Sequence, residues 1–128
     1  MEHDTLAKLL SAIKSAEKRG KPEITAAPAS RVIKQILELL KKEDYIKNFE
    51  AAGEKKTSIK VYLNGSINNI GAIKPRYPIM MKDYERYESR YLPAKDFGRM
   101  IVSTSKGMMT HLDAKAQKLG GVLLAFVY

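Results

Sequence analysis

Leu6, Leu9, Leu10, Ile13 and Ala16 recur at three- and four-residue intervals, the spacing that lays apolar side chains along one stripe of an α-helix. Asp4 stands before them as an N-cap, and Gly20 and Pro22 end the pattern. Residues 23–27, Glu-Ile-Thr-Ala-Ala, read as a short strand, after which Pro28 and Ser30 prepare a second helix start. On that helix Val32, Ile33, Ile36, Leu37 and Leu40 share a face, with Arg31, Lys34, Lys41 and Lys42 off it. From Tyr45 to Asn64 the period changes to two. Ile59, Val61 and Leu63 alternate with Lys60 and Tyr62, and Gly53-Glu54-Lys55 marks the turn of a hairpin. The order helix, strand, helix, strand, strand describes a compact α+β lobe with its helices packed on one small sheet.

Gly65 to Gly71 carry two Asn and two Gly in a polar stretch, which reads as a boundary between a lobe of residues 1–65 and one of residues 66–128. Ala72 to Pro78 must be extended, because each proline fixes its own φ and biases its predecessor away from helix. Tyr84, Tyr87 and Tyr91 fall on one face of a helix running from about Lys82 to Leu92. Three exposed rings would be an aggregation liability or a dedicated binding surface, so packing is the favoured reading of that stripe. Arg86 and Arg90 lie on another part of the helix, where they can meet a phosphate backbone. Met100 to Val102 form a strand that feeds into Ser103-Thr104-Ser105-Lys106-Gly107, where a polar helix begins. Thr110 and Asp113 stand as a capping arrangement for a helix ending near Leu119, which Gly120-Gly121 breaks. Val122 to Tyr128 is nearly all apolar and is expected as a buried central strand.

Charge adds a partner class to this outline. Among 128 residues, 23 are Lys or Arg and 14 are Asp or Glu, a net charge of +9 that favours a polyanion, nucleic acid foremost. Plain surface solubility is the competing explanation. The cations are spread along the sequence, so any patch must be assembled by the fold. The absence of Cys removes disulfides, thiol nucleophiles and Cys-based zinc sites, and His3 and His111 do not form a helical ligand pair, so no metal or cofactor is expected. No run is long and apolar enough to span a bilayer, and Met-Glu-His-Asp lacks a secretory pattern, which places the expected location in the cytoplasm.

The densest chemistry lies in Ser103, Thr104, Ser105, Lys106 and Gly107. Hydroxyls donate and accept hydrogen bonds to phosphate, ribose or base edges, a cation pairs with phosphate, and glycine permits close approach. An ordinary Ser/Thr-rich turn explains the same residues. Ser103, Ser105, His111 and Asp113 contain the ingredients of a hydrolytic triad, but no Gly-x-Ser-x-Gly elbow is present and Asp113 has a local task at a helix start. No catalytic residue is assigned. Gly120-Gly121 lacks the Gly-Lys-Ser/Thr ending of a phosphate loop and follows a helix instead of opening one; Gly121 also suits close approach to an RNA backbone. In the first half, Lys14 with Ser11, Ser15 and Lys18 forms a polar, basic helix face. Pro28-Ala29-Ser30-Arg31 brings free amides, a hydroxyl and a guanidinium to a helix N-terminus, a set suited to phosphate, although N-capping by Ser30 accounts for half of it.

With those residues in hand, the chain resembles the small-subunit ribosomal protein S-eight family over essentially its full length. Ser103 to Gly107 followed by Met109-Thr110 is similar to that family's signature, and Ala114, Gly120-Gly121 and the apolar C-terminal strand continue it. Asp4 to Ala16 and Pro28 to Arg31 resemble its N-terminal motifs. Gly71 to Pro78, Tyr91-Leu92-Pro93-Ala94, Asp96-Phe97-Gly98 and His111 look archaeal or eukaryotic in type. Met108 and Leu119 are conservative departures, and Ser11 and Lys14 stand where Thr and Arg are frequent, which weakens any inference of bidentate Arg contacts there. The resemblance implies an N-terminal α+β lobe and a β-rich C-terminal lobe with short helices, bound to the central domain of small-subunit ribosomal RNA. It also implies neighbouring ribosomal proteins as partners, repression of the protein's own messenger in some members, and assembly in place of turnover.

The expected mechanism follows. Ser103, Thr104 and Ser105 hydrogen-bond to displaced bases and backbone of an irregular RNA stem, Lys106 pairs with phosphate, and Gly107 permits the approach, with Thr110 and Gly121 beside them. Lys74, Arg76 and one or more of Arg86, Arg90 and Lys95 add salt-dependent affinity. Pro28, Ser30, Arg31 and Lys14 anchor the first lobe to a second RNA segment. Two readings compete: a small nuclease using His111 as general acid or base, and a protein-binding module anchored by Tyr84, Tyr87 and Tyr91.

Overall fold

The two periodicities of the sequence become helices and strands in a computed structural model of the chain, which describes residues 5–26, 30–55, 57–76, 78–94 and 97–128. The expected cap at Asp4, together with Pro28 and Lys95, lies outside the described residues. The chain divides into two compact units, Met1–Ile70 and Gly71–Tyr128, and its architecture is α+β.

In the first unit, α1 (Thr5–Lys18) buries Leu6, Leu9, Leu10, Ile13 and Ala16, the stripe expected from their spacing. It packs beside β1 (Glu23–Ala26), while α2 (Arg31–Lys42) packs beside β2 (Ile46–Ala52). Strand β3 (Ser58–Leu63) is central in the antiparallel order β1-β3-β2 and buries Ile59, Val61 and Leu63 in alternation. On α2 the buried set is Ile33, Ile36, Leu37 and Leu40. Val32, expected among them, is 44% exposed, because at 100° per residue it stands about a quarter turn from that stripe.

The second unit begins within β4 (Ile70–Ala72) and contains β5 (Pro78–Ile79), a 3₁₀ turn at Met81–Asp83, α3 (Tyr84–Tyr91), β6 (Arg99–Thr104), β7 (Gly107–Thr110), α4 (His111–Ala116) and β8 (Gly121–Val127). The sheet runs β4-β8-β6-β7, with β5 also pairing β8, so the apolar last strand is interior. Its core gathers Ile73, Ile79, Tyr84, Leu92, Met100, Val102, Met109, Ala114 and Leu123. Tyr84 is 1% exposed and its hydroxyl donates to the Leu119 carbonyl at 2.8 Å, while Tyr87 and Tyr91 pack at the core's margin. The tyrosine stripe is therefore packing, as the sequence reading favoured.

Two local expectations change. The polar run does not lead from strand to helix: β7 intervenes, with Met109 buried and Thr110 opposite Ile101 on β6. A four-residue strand that begins at a tight turn is too short to display an alternating pattern. The helix after Thr110 ends at Ala116 instead of near Leu119, and Gly120-Gly121 does not end it. Lys118 takes the left-handed conformation (φ 58°), donating to Lys115 O at 3.1 Å while Leu119 donates to Ala114 O at 2.8 Å. This is the paired-bond C-terminal motif in which glycine is usual. The same motif closes α1 at Gly20 (φ 69°) and α2 at Asp44 (φ 64°).

Candidate nucleic-acid interface

Strands β6 and β7 pair from Ile101↔Thr110 to Thr104↔Gly107, leaving Ser105 and Lys106 as a two-residue turn at the hairpin tip. Thr104 braces that turn: its Oγ1 donates to Gly107 O at 2.8 Å and accepts from Lys106 N at 3.1 Å. A side chain that satisfies two backbone groups in this way fixes the turn without further support. Gly107 has φ 113°, a conformation that side chains disfavour, and the space where a Cβ would stand is open. Ser105 and Lys106 are exposed, whereas Ser103 and Thr104 are half-buried. Among the described residues, neither the Ser103 nor the Ser105 hydroxyl has an intramolecular hydrogen bond. The tip thus presents a hydroxyl and an ammonium on a rigid turn, beside a glycine that leaves room for a ligand backbone.

The sheet brings Gly121 to this hairpin. Ser103 is the register partner of Met108 on one side and of Val122 on the other, and Val122 is in turn opposite Pro78, so one row crosses the sheet two residues after Arg76. A Cβ on Gly121 would lie 2.3 Å from Ser103 O, and one on Gly120 would lie 2.5 Å from Ile79 O. The close approach made at these glycines is between strands of the chain itself. Thr110 is 3% exposed, and its Oγ1 accepts from Asp113 N at 3.2 Å, which makes it the N-cap of α4. Lys74 and Arg76 are exposed on the segment between β4 and β5, and both take part in intramolecular contacts.

In the first unit Ser30 caps α2, its hydroxyl accepting from Ile33 N at 3.2 Å, and Arg31 is exposed at the first helical position. Lys14 is exposed on α1. One basic feature of this unit has no counterpart in the sequence reading: Arg19, Lys21 and Lys60 line a groove between α1 and β1, together with Ser15, Glu23 and Thr25. Lys60 pairs with Glu23 at 3.2 Å. These cations come from a helix end and a strand some forty residues away, so only the fold assembles them.

His111 opens α4 and is 1% exposed. Its Nδ1 accepts from Met100 N at 3.0 Å, and its Nε2 donates to Glu88 Oε2 at 3.0 Å; Lys115 Nζ reaches the same oxygen at 2.8 Å. Burial, with smaller contributions from Lys115 and Arg99, holds the imidazole below its ordinary pKa, against the pull of Glu88. An enclosed ring with both nitrogens engaged ties α3, β6 and α4 together. It does not face solvent where a general acid or base would meet RNA.

Comparison with known proteins shows the family. Residues 4–128 match the family model described as Ribosomal protein S8. The chain is 48% identical over 129 aligned residues to "Small ribosomal subunit protein uS8" of Archaeoglobus fulgidus, 45% to that of Thermoplasma acidophilum and 42% to that of Nanoarchaeum equitans. In each case the alignment covers 100% of both chains, and all three relatives are archaeal, within the archaeal or eukaryotic type expected from the central segment. The full-length match and these identities place the chain in the ribosomal protein S8 family.

Proposed function

We propose that this protein, by its family a structural and non-enzymatic component of the small ribosomal subunit, binds an irregular stem in the central domain of small-subunit ribosomal RNA through the β6–β7 hairpin. The observation that carries the reading is the tip geometry: exposed Ser105 and Lys106 on a turn braced by Thr104, with open space over Gly107. A regular A-form major groove is too deep and narrow for such a tip, whereas an internal loop displays base edges and distorted backbone within its reach. Ser105 and Ser103 supply hydrogen bonds to those edges, and Lys106 a phosphate contact. Thr104, Thr110 and Gly121 hold the hairpin to its sheet. Lys74 and Arg76 add affinity that depends on salt but carries little sequence information. Lys14, Ser30 and Arg31, with Pro28, engage a second RNA segment from the first unit. In the cytoplasmic ribosome the chain meets neighbouring ribosomal proteins, and a messenger presenting a similar loop would compete for the hairpin, a route by which the chain would repress its own translation.

Two substitutions separate shape recognition from charge. Ser105→Ala is expected to lower affinity for the looped stem a few-fold, the size of one neutral hydrogen bond, and to leave the salt dependence unchanged. Lys106→Ala is expected to reduce the slope of log affinity against log salt by about one phosphate's contribution on looped and paired RNA alike. Equal losses on both RNAs for Ser105→Ala would contradict the assignment.

A further inference from the structure

The second unit carries an ordered series of rings at the margin of its core. Tyr87 and Tyr91 stack at 6.4 Å between centroids with planes 7° apart, Tyr91 and Phe126 at 5.5 Å and 27°, Phe126 and Tyr128 at 6.3 Å and 23°. Phe97 ends the series 6.3 Å from Tyr128 and is 49% exposed, so much of this last ring is open to solvent. Its position is fixed from below: Gly98 is buried at φ 97°, and a Cβ there would lie 2.8 Å from both Val127 O and Tyr128 Cβ. Along α3 the rings have a cationic edge. The Arg86 guanidinium lies 5.1 Å from the Tyr87 centroid, and that of Arg90 lies 5.6 Å from the Tyr91 centroid. Asp83 stands 3.6 Å from Arg86, whose side chain is still 71% exposed. On the other flank Glu88 is turned inward to His111 and Lys115.

We propose that this aromatic edge is a second RNA-contact surface, distinct from the hairpin, on which an unpaired base stacks against Phe97 while Arg86 and Arg90 pair with the phosphates of the same single strand. Planar rings bordered by guanidinium groups suit unstacked bases, because every base offers a π-face and its strand offers anions. The sign of the border argues against an equally apolar protein helix, which would bring Arg90 no anion and Arg86 none beyond Asp83, and the area offered is that of one ring face and not of a groove.

The sequence holds no tryptophan, so Phe97→Trp introduces a sole indole at the proposed stacking position. Its fluorescence is expected to be quenched by a short unstructured oligoribonucleotide and not by a fully paired RNA of equal length. Phe97→Leu, which keeps apolar bulk without a π-face, is expected to weaken single-strand binding about tenfold, the loss of one stacking contact, while retaining the wild-type melting temperature and affinity for the looped stem. Arg90→Gln should lower the salt dependence of single-strand binding. An indole signal indifferent to single-stranded RNA, equal quenching by paired RNA, or unchanged single-strand affinity in Phe97→Leu would each overturn the proposal and leave the edge to a protein partner. Failure of the hairpin assignment is separable, since Ser105→Ala is read on the looped stem and does not alter the indole signal.

Discussion

A methyl group on Gly121 would fall 2.3 Å from Ser103 O and 3.0 Å from Val102 Cγ2, both on the adjoining strand β6, so neither strand can yield without breaking their register. Gly121→Ala is expected to cost about 3 kcal/mol in thermal or chemical denaturation through forced displacement of packed backbone. Gly107→Ala meets open space and bears only the strain of its positive φ, about 1 kcal/mol. Comparable losses for the two variants would contradict this distinction. His111 supplies a pH dependence at the same scale. The unfolded chain takes up a proton near the ordinary value of about 6.5, whereas the folded ring resists it until lower pH, so the unfolded state binds more protons in between. Stability is therefore fully present above about pH 6.5 and declines as the pH falls through and below that value. His111→Gln is expected to flatten the decline between neutral and mildly acidic pH in denaturation midpoints, and an unchanged slope would remove His111 as its source.

At the scale of elements, helix stripes and strand alternation were legible because they are local: every residue expected on the buried face of α1 is buried, as are Ile59, Val61 and Leu63 on β3. Helix ends were less so. Gly20 announced its left-handed turn, but Asp44 and Lys118 adopt the same conformation with side chains that give little sign of it. Both are exposed, so Lys118→Gly should relieve more strain than the added backbone entropy removes, raising stability by about 0.5–1 kcal/mol. The gain at Asp44→Gly should be smaller, since Asp tolerates the left-handed region better. Conversely, Ser30→Ala should cost about 1 kcal/mol by leaving the Ile33 amide uncapped. The hairpin was visible as composition but not as shape: Ser103 to Gly107 declared its chemistry, while the turn depends on the Thr104 bonds and on β7, which is four residues long. The His111, Glu88 and Met100 cluster, and the convergence of Arg19, Lys21 and Lys60, join residues distant in sequence and carry no motif at all.

For the whole molecule, a net charge of +9 favours some affinity for any RNA, an affinity that would fall as salt rises. Selectivity is a separate quantity and has to come from a fixed shape. The braced tip of the β6–β7 hairpin, with two exposed polar side chains and an open glycine, is the feature of the second unit suited to an internal loop. The most direct test is the affinity of the intact chain for a small-subunit ribosomal RNA stem with an irregular internal loop, set against a perfectly paired stem of equal length across a range of salt. The account predicts parallel salt slopes with a large offset favouring the looped stem, an offset that Ser105→Ala narrows. Coincident curves for the two stems would show that the charge acts without recognition and would contradict the assignment of the hairpin as the specific RNA contact.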